Sequence, residues 1–288
     1  MKRSVAIVYH ESFSRRSYLT RGTRLQDFPQ ILSDILKDDR FHLLYAQPIS
    51  EEWILQVHTY DHLAEVMRDP LCSTAWHSVG SVVLGAETIL KGEHLRSFAL
   101  IGAGGHHAGR NYFWGYCCFN DVVIAIKIMR SLYGVRRIAI VDTDAHHGDG
   151  TRELIGNDPE VLHCCICQQN YESPDGTKVD VSAYDHLAKA RTESDRNSAY
   201  AAIVEKEFAP RIRKFAPEFL FWYFGFDTHR GDYGDLGLTR GAYEAIARTM
   251  CALSDEVCQG RLEVVLGGGS SREIANMVIP PIIRILGE

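Results

Sequence analysis

An apolar run that ends in a burst of charge constrains this chain more than any other stretch. Ile138-Ala139-Ile140-Val141 has the uninterrupted, β-branched character of a short strand buried on both faces. Directly behind it come Asp142, Asp144, His146, His147 and Asp149, five ionisable groups within eight residues. So much charge at the end of a buried strand needs a partner, because an unpaired buried carboxylate is costly. If the chain stays extended, Asp142, Asp144 and His146 share one face. Carboxylate oxygen and imidazole nitrogen are donors that zinc and its transition-metal neighbours accept. A metal site is expected here, against the alternative of a solvated loop closed by Gly148 and Gly150.

The same design recurs along the chain. Val5–Tyr9, Phe98–Ile101, Val161–Ile166, Phe219–Phe224 and Leu262–Leu266 read as buried strands. Helical spacing predicts helices over Phe28–Lys37, Trp53–Met67, Ser78–Leu90, Val122–Met129 and from Thr239 onward, with 178–218 read as helices around a polar stretch. Asn120 or Asp121 is the expected N-cap of the fourth of these, and Ser270 with Glu273 has the spacing of a capping box. Alternating buried strands and helices predict an α/β fold: a single domain over residues 1–288, three-layer α/β/α, with a mostly parallel central sheet. Ligands in such sheets gather beyond the carboxyl ends of the strands. The loaded turns 102–109, 142–151, 225–230 and 267–271 are therefore expected to converge on one pocket. The loop Ser12–Arg24, with Arg15, Arg16, Arg21 and Arg24, is read as solvated and as a candidate to close over it. His58, Tyr60 and His62 are assigned no chemistry.

Bulk properties narrow the classes of function. A formal net charge of −6 without a Lys/Arg cluster argues against direct nucleic-acid binding. No apolar run approaches the length of about 18 residues that a membrane span needs, and Val5–Tyr9 is too short for a signal peptide. Eight scattered cysteines form no disulfide framework, which fits reduced thiols in a cytoplasm.

Four segments, in order, resemble a known family. They are Gly105-His106-His107-Ala108, Gly115-Tyr116-Cys117-Cys118-Phe119-Asn120, Asp142-x-Asp144-x-His146-His147-Gly148-Asp149-Gly150-Thr151 and Gly225-Phe226-Asp227-Thr228-His229-Arg230. Together they are similar to the histone deacetylase-like zinc amidohydrolases of the arginase-deacetylase fold. The resemblance implies one zinc (Zn2+) per chain on Asp144, His146 and Asp227, with positions left open for water and substrate. It implies that His106 and His107 handle protons, oriented by Asp142 and Asp149. It implies a monovalent cation such as K+ near Asp142, with Cys165 where a serine often helps. Tyr116, beside Gly115, falls on a wall of the acyl tunnel. The implied reaction is hydrolysis of an acylated amine, such as acetyl-lysine, an acetylated polyamine or a small metabolite, to a carboxylate and a free amine.

The chain departs from this family at its last glycine turn. The family usually has G-G-G-Y, whose tyrosine donates to the developing oxyanion, whereas here Gly268-Gly269 is followed by Ser270 and Ser271. Ser271 stands at the tyrosine position. Either another tyrosine (Tyr112, Tyr171 or Tyr233), Arg272 or water substitutes, or turnover is weak. Two competing readings follow: a metal-retaining protein that binds acyl groups, and an arginase-like ureohydrolase with two manganese ions. The second needs more bridging carboxylates than these turns supply.

Overall fold

Nine strands join into one sheet in a computed structural model that describes residues 4–15 and 24–288. They are β1 (Val5–Tyr9), β2 (Phe41–Tyr45), β3 (Arg96–Ala99), β4 (Ile138–Asp142), β5 (Val161–Cys167), β6 (Tyr171–Glu172), β7 (Lys178–Ser182), β8 (Phe219–Phe224) and β9 (Leu262–Leu266). Their order is β2-β1-β3-β9-β8-β4-β5-β7-β6, and every pairing is parallel except β6 with β7. Strands β1, β3, β4, β5, β8 and β9 are buried along their whole length, the polar Arg96 and Ser97 of β3 and Glu263 of β9 included. Helices cover the sheet to complete the three-layer α/β/α arrangement. Helix Ala75–Leu90 packs on β1, β3 and helix Asp121–Tyr133, while Arg240–Cys258 packs on Arg272–Leu286 and β8.

Register decides what this fold can do. β3, β9, β8 and β4 are neighbours, and Ala99 pairs with Val265, Phe224 with Leu266 and Asp142 with Tyr223. The carboxyl ends of four adjacent strands are therefore level, and the turns that follow them emerge side by side.

Several expectations give way. Phe28–Lys37 forms no α-helix but a chain of turns with a 3₁₀ segment at Gln30–Leu32. Phe28, Leu32 and Ile35 are buried all the same; over so short a stretch, burial fits winding at three residues per turn as well as at 3.6. Trp53–Met67 splits into Glu51–Leu55 and Tyr60–Arg68, because Thr59 caps the second helix by accepting the His62 N–H. Lys178–Ser182 is a strand, and Phe41–Tyr45 is an edge strand that the apolar pattern did not announce. Residues 16–23 of the anticipated closing loop, with Arg16 and Arg21, lie outside the described residues. No helix of the described residues is long and apolar enough to cross a membrane.

Candidate active site

The turn after β4 does not stay extended. Asp142 Oδ1 accepts the Asp144 N–H and Asp144 Oδ1 accepts the His146 N–H, both at 3.1 Å, so each aspartate bends the chain two residues on. Thr143 pins the bend: its carbonyl accepts from Tyr200 Oη at 3.0 Å and its hydroxyl from Trp222 Nε1 at 2.9 Å. The shared face expected for Asp142, Asp144 and His146 is thereby broken. Asp142 turns to His106, and Asp144 and His146 turn to Asp227 on the neighbouring strand end.

Asp144, His146 and Asp227 bring one ligand atom each within 4.8 Å of one another. His146 Nδ1 lies 3.2 Å from Asp144 Oδ1 and 3.0 Å from Asp227 Oδ2. Both carboxylates are buried; the Gly268 N–H ties the second oxygen of Asp144, Oδ2, at 2.7 Å, and the Ala145 N–H ties Asp227 Oδ1 at 3.1 Å. Asp227 Oδ2 has no aligned hydrogen-bond donor among the described residues. Burial, then the charge of Asp144, pushes Asp227 up to about 7, while the two aspartates beside it push His146 up to about 10. A buried pair of carboxylates with an orphaned oxygen facing an imidazole lacks positive charge. The donor set fits a divalent metal.

Two histidines from the turn after β3 face this group. His106 Nδ1 donates to Asp142 Oδ2 at 2.9 Å, and His107 Nδ1 donates to Asp149 Oδ1 at 2.6 Å. Carboxylates only accept when ionised, so both Nδ1 atoms carry the proton, and His106 Nε2 stands 3.8 Å from Asp144 Oδ1. The rings lie 4.1 Å apart, yet they are driven in opposite directions. Burial works against charge on His106, but Asp142 and Asp144 outweigh it and raise the group to about 9. Burial, followed by repulsion from His106, holds His107 below its ordinary value. Pairs pushed apart in this way suit one proton donor and one acceptor.

Supports for the dyad come from distant parts of the chain. His106 stacks on Tyr223, with centroids 4.7 Å apart, and the Tyr223 hydroxyl accepts the Gly105 and His106 N–H groups at 2.9 and 3.3 Å. His58, given no chemistry in the sequence reading, donates from Nδ1 to Gly109 O at 2.8 Å and accepts the Asn120 N–H at 3.0 Å. Asn120 is also the N-cap expected of it, accepting the Val123 N–H. Arg24 overturns its reading as a solvated residue: it is 3% exposed. It donates to Gly267 O, Gly269 O and Ile101 O at 2.5, 3.0 and 3.2 Å. Partners 77 to 245 residues away leave no local signal for such a role.

These turns surround a cavity of about 170 Å³, lined by both histidines of the dyad, Asp144 and His146. Gly115 and Tyr116 line it as well, and so do Trp114 and Tyr233. Gly115 has φ +57°, and a Cβ there would stand 2.5 Å from the His107 ring, so the position tolerates no side chain. Asp142 and Asp149 stand behind the histidines, and Asp227 joins through the ligand group. Ser271 does not line the cavity. Its hydroxyl accepts the Ile274 N–H at 3.2 Å as the N-cap of helix Arg272–Leu286. The capping role expected of Ser270 thus falls to Ser271, one residue on; Ser270 Oγ binds Asp232 instead, at 3.1 Å. Tyr112 and Tyr171 lie off the cavity; Tyr233 is inside it.

Comparison with known proteins agrees with this geometry. The family model described as "Histone deacetylase domain" matches residues 19–285. A "Probable deacetylase" of Archaeoglobus fulgidus is 28% identical over 93% of this chain and 81% of its own length. A "Histone deacetylase-like amidohydrolase" of Pseudomonas aeruginosa is 24% identical over 81% of this chain and 67% of its own. "Histone deacetylase HDA1" of Candida albicans is 30% identical, and the match spans 77% of this chain but only 31% of that protein. Among solved structures, the HDA15 HD domain superposes with a TM-score of 0.81 at 22% identity, over 99% of this chain and 89% of that one, which establishes the shared fold. With the family model matched across nearly its whole length, this chain belongs to the histone deacetylase domain family.

Proposed function

We propose that the chain is a zinc-dependent amidohydrolase that removes a short acyl group from an amine, with acetyl-lysine, an acetylated polyamine or a small acylated metabolite as substrate. One observation carries the reading: a cation-deficient Asp144–His146–Asp227 group and a histidine pair of opposed basicity open onto the same cavity. Zinc bound by these three residues would polarise the amide carbonyl and acidify a water. The remaining chemistry belongs to the chain. His107 is neutral, its Nδ1–H is engaged by Asp149, and its Nε2 is free to take the proton of the attacking water. The water oxygen bonds to the carbonyl carbon as the carbonyl π pair moves onto oxygen. Collapse of that adduct breaks the C–N bond, and His106, charged beside Asp142, supplies the proton with which the amine departs. A carboxylate and a free amine result.

The reading takes residues 1–288 as one domain, consistent with a single sheet through the described residues. It includes a monovalent cation near Asp142 on the strength of the resemblance alone. The side chains grouped there are His163 and Cys165, soft donors for potassium. A reducing, cytoplasmic location suits eight buried cysteines, all free. A net charge of −6 supports the absence of a nucleic-acid partner.

The capping role of Ser271 favours a second reading, a metal-retaining acyl-binding protein with little turnover. Elemental analysis paired with a fluorogenic acetyl-lysine assay, wild type beside Asp227→Ala, separates the two. One zinc per chain with activity abolished by the substitution supports the deacylase. One zinc without turnover favours the binder, and a chain without metal sinks both. Two manganese ions would favour the ureohydrolase, for which this group offers only two carboxylates.

A further inference from the structure

Addition of water to an amide leaves negative charge on the former carbonyl oxygen, and fixed donors aimed at that charge are commonly the largest single contribution to such catalysis. The hydroxyl of Ser271 is spent on its helix cap. We propose that Tyr233, on the loop after β8, is the catalytic donor to this oxygen, an assignment that rests on the deacylase reading.

Position supports it first. The Tyr233 ring lies 5.8 Å from that of His146, and His146 in turn lies 6.1 Å from His107, so one substrate carbonyl can reach both the base and the phenol. The phenol oxygen also shares a corner with the two acids. A Cβ built at Gly268 would meet Asp144 Oδ2 at 2.5 Å, Tyr233 Oη at 2.7 Å and Asp227 Oδ2 at 2.9 Å. That crowding explains the glycine and brings the phenol beside the candidate metal ligands.

Hydrogen bonding points the same way. Tyr233 Oη accepts the Gly269 N–H at 3.0 Å, and no described residue accepts its own proton. A tyrosine that only filled space would be sealed in protein; this one is 48% exposed and lines the cavity. Of the other two tyrosines that line the cavity, Tyr223 is 2% exposed and holds the backbone of the dyad, and Tyr116 stands beside Gly115 on the loop before helix Asp121–Tyr133.

The loop is also fixed in place. Asp232 accepts from Ser270 N, Ser270 Oγ and Ser271 N at 3.0, 3.1 and 2.9 Å, and Tyr233 N donates back to Asp232 Oδ1 at 2.9 Å. The serine pair that ends the glycine turn therefore clamps the loop that brings a tyrosine to the site.

Tyr233→Phe keeps the ring and removes the donor. With acetyl-lysine amide as substrate, kcat is expected to fall by about 10²–10³ with KM within about threefold and metal content unchanged. A second readout needs no turnover: the affinity of a trifluoromethyl ketone analogue of acetyl-lysine, whose hydrate mimics the tetrahedral adduct. It should weaken by about 10²-fold. An active wild type whose Tyr233→Phe variant keeps both kcat and ketone affinity within about threefold overturns the assignment and leaves the deacylase reading intact. Loss of metal in the variant likewise overturns it, in favour of a structural role. No turnover by wild type but Tyr233-dependent ketone binding removes the reaction and keeps the donor. Neither turnover nor ketone binding overturns both.

Discussion

Trp114 donates its indole N–H to Asp149 Oδ2 at 3.0 Å. The other oxygen of that carboxylate holds His107, and the indole ring lies 3.9 Å from the His107 ring at 32°, so one side chain both aims the acid and covers the base. Burial is the first cause of the depressed basicity of His107. Trp114→Ala lifts that cover and should move His107 back toward about 6.5, the ordinary value. The acid limb of kcat/KM then shifts to higher pH, and kcat drops by about 10-fold as the base loosens. Trp114→Phe, which keeps the cover, should shift the limb less. Identical acid limbs in wild type and Trp114→Ala would rule out this control by the indole.

How much of this was legible beforehand depended on the range of each interaction. Asp142 to Thr151 announced itself because a buried strand followed by five ionisable groups is a local pattern. The level strand ends followed from the alternation of elements. Trp114 and Tyr223 carried no such signal, since an aromatic residue reads as core until its partner is known, and Asp149 and His106 are far away in sequence. Arg24 was misread for the same reason: its three carbonyl partners lie on other strand ends. Ser270 was misplaced by one residue because capping spacing does not say which of two serines begins the helix.

Removal of metal should be visible in stability. A ligand at 1,000 times its Kd adds about 4 kcal/mol to the native state, so a strong zinc chelator should lower Tm by many degrees and zinc should restore it. Without a cation, Asp144 and Asp227 oppose each other in a buried site. Asp227→Asn should therefore leave the metal-stripped protein at least as stable as metal-stripped wild type while losing the zinc-dependent rise in Tm. Scanning calorimetry with and without zinc checks both halves; an undiminished rise in the variant would exclude Asp227 as a ligand.

His58 sets a pH dependence of stability. It donates at Nδ1 and accepts at Nε2, and burial, reinforced by His62, lowers it to about 3. A folded value below the unfolded one means that the contribution is complete above about 6.5 and is lost as pH falls toward 3. Each pH unit in that window costs up to about 1.4 kcal/mol. Denaturant titrations should show stability falling from pH 6.5 to 4, and His58→Gln should be less stable at pH 7 with a flatter dependence. Parallel pH curves for the two proteins would count against it.

Ser271→Tyr places a phenol where the resemblance of the glycine turn leads one to expect it, and its outcome depends on whether Tyr233 already serves. The hydroxyl of Ser271 accepts the Ile274 N–H, so the substitution removes a helix cap and should cost about 1 kcal/mol of stability. With Tyr233 donating from the neighbouring loop, a second phenol adds little, and deacetylase kcat should change by less than about threefold. The same substitution in a Tyr233→Phe background should recover part of the lost rate, because the corner beside Gly268 is then without a donor. A gain of about 10² from Ser271→Tyr alone would mean that the wild-type site lacks a working donor, and Tyr233 would revert to a residue that lines the cavity without acting in it.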